Sequence, residues 1–80
     1  MTVGIAVKER ILQLCKERDL SINKLATISG VTQSTVNNII SERNNSTTVS
    51  TVKKLCEGLG LTLGEFFSTP EFDGLEHEIV

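Results

Sequence analysis

The stretch from Ile22 to Ser41 constrains the fold more than any other part of the chain. Leu25 and Ala26 give a first short helix an apolar side. Gly30 falls four residues after Ala26, where a chain leaving a helix often turns through positive φ. Val31 follows as a buried turn residue. Thr32 is a good N-cap, because its hydroxyl accepts a backbone N–H of the next turn. Val36, Ile39 and Ile40 return at helical spacing and leave Gln33, Ser34, Asn37 and Asn38 outside. Two short helices joined by a tight turn are expected, and the outer face of the second is polar and uncharged. An Asn or Gln amide carries a donor beside an acceptor, which suits the N6/N7 edge of adenine in a major groove.

The rest of the chain supports a helical setting. Val7, Ile11, Leu14 and Cys15 recur at i, i+4, i+7 and i+8, so a helix is expected from Ile5 to Arg18 after a loose start. Ser21 caps a helix from Ile22 to Ser29. The next helix runs from Gln33 to Glu42. Arg43 to Thr47 has no apolar residue and reads as a loop. Thr48 caps a helix from Val49 to Leu59, with Val49, Val52, Leu55, Cys56 and Leu59 inward and Gly60 as its stop. Thr62 caps a last short helix, Leu63 to Phe67, whose Leu63, Phe66 and Phe67 close the bundle. Pro70 ends the regular pattern. Beyond it, Phe72, Leu75 and Ile79 among acidic residues fit either a mobile acidic tail or a short amphipathic helix.

Composition agrees with this reading. Eighty residues make one small domain, and three Phe without Trp or Tyr leave an aliphatic core. The fold expected is all-α, a compact five-helix bundle over residues 1–67 with an acidic tail over 68–80. Net charge is −2, yet residues 1–64 carry +3 and residues 65–80 carry −5. The acidic tail thus hides a mildly basic body. That body predicts modest non-specific attraction to nucleic acid and leaves recognition to geometry.

Cys15 and Cys56 lie on apolar helix sides and read as reduced, buried thiols, with a disulfide as the lesser alternative. His77 is the sole histidine, so neither a metal site nor a cofactor is expected. No nucleophile–base pair, paired acids or phosphate-cradling glycine loop points to an enzyme. No membrane-length apolar run or secretory signal is present, and a cytoplasmic location is expected.

The residues Leu25-Ala26, Gly30-Val31-Thr32-Gln33-Ser34-Thr35-Val36 and Ile39 together resemble the helix-turn-helix of phage-repressor-like (XRE) transcriptional regulators. The likeness extends from about Val7 to Phe67. It implies a lambda-repressor-like DNA-binding fold and a sequence-specific regulator of double-stranded DNA, expected to be a repressor. It places Gln33, Ser34 and Asn38 at base edges, and helical geometry adds Asn37. Thr32 and Thr35 fall to phosphate, as does the start of the preceding helix at Ser21, Ile22 and Asn23. The resemblance also implies phosphate contacts from Arg43, Asn44 and Asn45. Relatives often pair through their last helices. A homodimer on DNA is therefore expected through Leu59, Leu63, Phe66, Phe67, Phe72, Leu75 and Ile79. The alternative is an antitoxin-like or other protein-interaction module, with a protein partner bound through the tail.

Overall fold

Five of the helices begin at a Ser or Thr whose hydroxyl accepts a backbone N–H from the first turn. In a computed structural model describing residues 1–41 and 47–79, these are α1 (Val3–Glu17), α2 (Ile22–Ser29), α3 (Gln33–Ile40), α4 (Val49–Leu59) and α5 (Leu63–Phe67). A sixth helix, α6 (Pro70–Asp73), follows, and there is no strand among the described residues. The all-α expectation holds, with one helix more than the five expected.

Helices α2, α4 and α5 keep their expected limits. Helix α1 starts earlier than Ile5, because the Thr2 hydroxyl accepts the Ile5 N–H at 3.3 Å and Gly4 is absorbed into the first turn. Helix α3 ends at Ile40 with Ser41 as its C-cap. Pro70 opens α6 instead of only breaking the pattern, since its fixed φ and missing N–H suit a first turn. Phe72 then packs against the core, and the Glu76 N–H donates to the Met1 carbonyl at 3.2 Å.

Three of the helix junctions share a three-residue motif, preceded in the first by the C-cap Arg18. Asp19-Leu20-Ser21, Gly30-Val31-Thr32 and Gly60-Leu61-Thr62 each begin with a left-handed residue, at φ 51°, 68° and 72°. The middle N–H donates back to a last-turn carbonyl: Leu20 to Cys15 at 2.8 Å, Val31 to Ala26 at 3.2 Å, Leu61 to Cys56 at 2.8 Å. Leu20, Val31 and Leu61 pack against the core, and the third residue caps the next helix. Each connector therefore ends one helix, anchors the corner and starts the next.

Asp19 is the one described non-glycine residue at positive φ. A side chain there crowds the following carbonyl, a strain that glycine avoids. Asp19→Gly is expected to raise stability by about 0.5–1 kcal/mol, or roughly 4 °C in melting temperature. Thermal unfolding followed by circular dichroism checks this. A lower melting temperature would show that the aspartate contributes more than its backbone costs.

The core is aliphatic around one aromatic anchor. Ile11, Leu25, Val36, Leu55 and Cys56 are fully buried together with Phe66. Both cysteines are free thiols inside this cluster. Burial pushes both thiols up from the ordinary range, and for Cys56 the Lys53 and Arg10 charges partly oppose it. Val49, expected inward, is 67% exposed. It stands in the first turn of α4, and helical side chains tilt toward the N-terminus, so it overhangs the helix start.

Two arginines close helix ends from a distance. Arg10 Nε donates to the Phe66 carbonyl at 2.8 Å and its Nη2 to the Glu65 carbonyl at 3.0 Å. Its guanidinium also lies 5.9 Å from the Phe66 ring centroid. Arg18 Nη1 donates to the Leu59 carbonyl at the end of α4. Last-turn carbonyls lack helical partners and carry the negative end of the helix dipole, so cations there are stabilising. At the start of α5, the Thr62 N–H donates to Glu65 Oε1 at 2.9 Å, and the Glu65 N–H donates to the Thr62 hydroxyl at 3.0 Å. The Thr62 N–H holds the Glu65 carboxyl below the usual carboxylate range.

Helix α2 packs against both α3 and α4. The α4 contact is set by a glycine. A Cβ on Gly58 would lie 2.2 Å from Ser29 Oγ and 3.1 Å from Ser29 Cα. Ser29 Oγ itself is buried with no hydrogen-bond partner.

Candidate nucleic-acid interface

Helix α3 is held from behind and open in front. Val36 and Ile39 are buried, and Ile40 packs half-buried against the same cluster. Gln33, Ser34, Asn37 and Asn38 are all exposed. Gln33 and Asn37 form one row, and Ser34, Asn38 and Ser41 form the adjacent one. The side-chain amides of Gln33, Asn37 and Asn38 make no hydrogen bond to any other described residue. Their donors and acceptors are therefore presented outward without an internal bond to break.

The helix starts flank this face. The Thr32 hydroxyl accepts the Thr35 N–H at 3.2 Å, and the two threonine hydroxyls lie 2.8 Å apart. The Ser21 hydroxyl accepts the Lys24 N–H at 3.1 Å. Helical geometry leaves the N–H groups of Ile22 and Asn23 unpaired within α2, and those of Gln33 and Ser34 within α3. Ile22 packs its side chain on the core, so only its backbone can face a phosphate. The Thr27 hydroxyl donates to the Asn23 carbonyl at 3.0 Å. Lys24 is the one charged residue between Ser21 and Ser41. Arg43, Asn44 and Asn45, expected at phosphate, lie outside the described residues.

The expected dimer surface divides. Leu59 and Phe66 are buried in the bundle's own core, which corrects their assignment to a partner: each offers a second subunit almost no side-chain surface. The reason is the position of Phe66 under Arg10 and beside Phe67 and Phe72, with ring centroids 4.9 Å and 6.2 Å away. Leu63, Phe72 and Leu75 are half-buried, Phe67 lies on the surface, and Ile79 is 94% exposed.

Ser41 was absent from the expected base-facing set. Its exposure extends the Ser34–Asn38 row by a further turn, and the spacing of three from Asn38 was the available signal. Gly58 and Ser29, which set the distance between α2 and α4, carried no pattern in the sequence. No helix among the described residues is long and apolar enough to cross a membrane.

A core-anchored helix, a left-handed glycine turn and a second helix with an open polar face form a helix-turn-helix, and the helix-turn-helix family profile matches residues 11–66. The chain belongs to this XRE-type family of DNA-binding transcription regulators, a regulator class and not an enzyme class. It is similar to the HTH-type transcriptional regulator PuuR of Escherichia coli (strain K12) and of Shigella flexneri, each 37% identical over 68 residues. That match covers 85% of this chain but 36% of either relative, so the chain spans about a third of their length. It is also similar to a solved structure, the crystal structure of the prophage Lp1 protein 11. The TM-score is 0.83 at 35% identity, covering 94% of this chain and 99% of that one.

Proposed function

We propose that this chain is a sequence-specific, double-stranded DNA-binding transcriptional regulator that represses by occupying its site in the cytoplasm. The observation that carries the reading is the open face of α3, with amides exposed and making no hydrogen bond to another described residue. In this reading α3 lies in the major groove, with Gln33, Ser34, Asn37 and Asn38 at base edges. Thr32, Thr35 and the start of α2 at Ser21, Ile22 and Asn23 meet phosphates, as do Arg43, Asn44 and Asn45.

One recognition helix touches only a few base pairs, too few to select a site in a genome. We therefore read the working unit as a homodimer on a palindrome, with its recognition helices about 34–36 Å apart. Phe67 and Ile79 supply exposed apolar surface for that contact, with Leu63, Phe72 and Leu75 beside them.

The test is Gln33→Ala measured against a duplex selected from a random pool. A loss of about 1–3 kcal/mol on the selected site is expected, with preference relaxed at one position. Binding to random duplex and helix content should both stay near the parent, because Gln33 is exposed. Equal binding of parent and variant to the selected site would remove α3 from the bases.

A further inference from the structure

We infer that two copies on DNA are joined by exchange of their acidic segments, residues 75–79 of each copy lying on the outer row Lys8, Leu12 and Lys16 of the other copy's α1. The inference rests on the homodimer reading above and names the surface that receives the tail. Residues 65–80 carry −5 and residues 1–64 carry +3. Two copies joined tail against tail would set like charges together, which costs free energy. Tail against body sets opposite charges together.

The segment is presented for such a contact. After Gly74 the chain follows neither helix nor strand through Ile79. Ile79 is 94% exposed, so it is not seated on Leu12 of its own copy. Glu76 is held at home: its N–H donates to the Met1 carbonyl at 3.2 Å, and its carboxylate lies 3.6 Å from the Met1 ammonium. Glu78 has no ion pair among the described residues. An apolar side chain and a carboxylate, adjacent in sequence, thus both stand unmatched.

The receiving surface has the complementary pattern. Lys8, Leu12 and Lys16 follow at i, i+4 and i+8 and form one row along α1. Leu12 is 39% exposed between the two lysines, and Ile5 stands half-buried on the same side. Lys16 is exposed and has no ion pair among the described residues. Glu9 borders the row, so the attraction is local to the lysines. The row spans roughly 12 Å at 1.5 Å per residue, and five extended residues reach about 16 Å. Two such segments bury less than the roughly 1,200 Å² of stable complexes. Pairing is therefore expected on the duplex, which holds both copies close.

The test uses the full 80-residue chain. Sedimentation at fixed salt compares addition of a second copy to a palindromic duplex with binding of one copy to a half-site. Lys16→Glu and Glu78→Lys, each alone, are expected to weaken the cooperative addition about tenfold, because each sets like charges together at both symmetry-related contacts. Half-site binding and helix content should stay near the parent, since both side chains are exposed. An equimolar mixture of the two variants is expected to recover the parental cooperativity. In the mixed pair the unchanged Glu78 of one copy meets the unchanged Lys16 of the other, and the two substituted side chains meet each other. No recovery in the mixture, or parental cooperativity in either variant alone, would overturn the exchange while leaving the dimer reading intact. A parent chain that saturates the palindrome at one copy would instead overturn the dimer reading, and this inference with it.

Discussion

Phe66→Ala is expected to cost about 3–5 kcal/mol, enough to leave much of the protein unfolded at room temperature. The ring is fully buried, and it is the largest side chain so enclosed. Small domains sit near the low end of the usual 5–15 kcal/mol range, roughly the size of this single loss. Phe67 and Phe72 would lose their aromatic neighbour, and Arg10 would lose the ring beneath its guanidinium. Phe67→Ala is the control, because that ring stands at the surface and its removal opens no sealed cavity. Urea denaturation of both variants checks the contrast. A Phe66→Ala midpoint close to that of Phe67→Ala would mean that the ring does not seal the core. A dimer that survives Phe66→Ala but fails with Phe67→Ala would in addition separate folding from association.

Gly58→Val is expected to cost about 2–3 kcal/mol through overpacking between α2 and α4. A Cβ alone would meet Ser29 Oγ at 2.2 Å and Ser29 Cα at 3.1 Å. The hydroxyl can rotate aside, but the Cα belongs to the α2 backbone and must move with its helix. Because α2 also packs on α3, the displacement is carried to the α3 face proposed to meet DNA. Ser29→Gly removes the nearest atoms and leaves the Cα in place, so Ser29→Gly with Gly58→Val is expected to recover part of the loss. A double-mutant cycle by chemical denaturation measures that recovery. Strict additivity of the two changes would show that this contact does not set the spacing of α2 and α4.

The helices were legible because their ends are written locally. Ser21, Thr32, Thr48 and Thr62 announce helix starts, Gly30 and Gly60 announce stops, and the apolar stripes between them have a single period. The limits of α2, α4 and α5 follow directly. Thr2 was harder to read, because Gly4 suggested a loose start and only the Ile5 N–H reveals the cap. Leu59 and Phe66 read as inward residues of the bundle and as partner-facing ones at once, and the sequence does not choose between the two. Apolar residues near the end of a short chain satisfy a core and a partner equally well on pattern alone. The choice is made by packing across 56 positions, from Arg10 to Phe66. Of the candidate interface, the outward placement of the α3 polar residues was legible from period. Their lack of hydrogen bonds to the other described residues was not, because a sequence does not say which amide has found a partner.

The repeated connector has a consequence for the time the chain takes to fold. Each αL–apolar–cap triplet settles a helix end, a corner and the next helix start within three consecutive residues. Most of the geometry of residues 15–35 and 56–66 is thus decided by neighbours in sequence, where loop closure is fast and its entropy small. Only a few distant encounters remain, chiefly α2 on α4 and Arg10 on the end of α5. A helical chain so arranged has the low contact order associated with folding in microseconds to milliseconds. Unfolded molecules, with their apolar stripes exposed, are correspondingly short-lived.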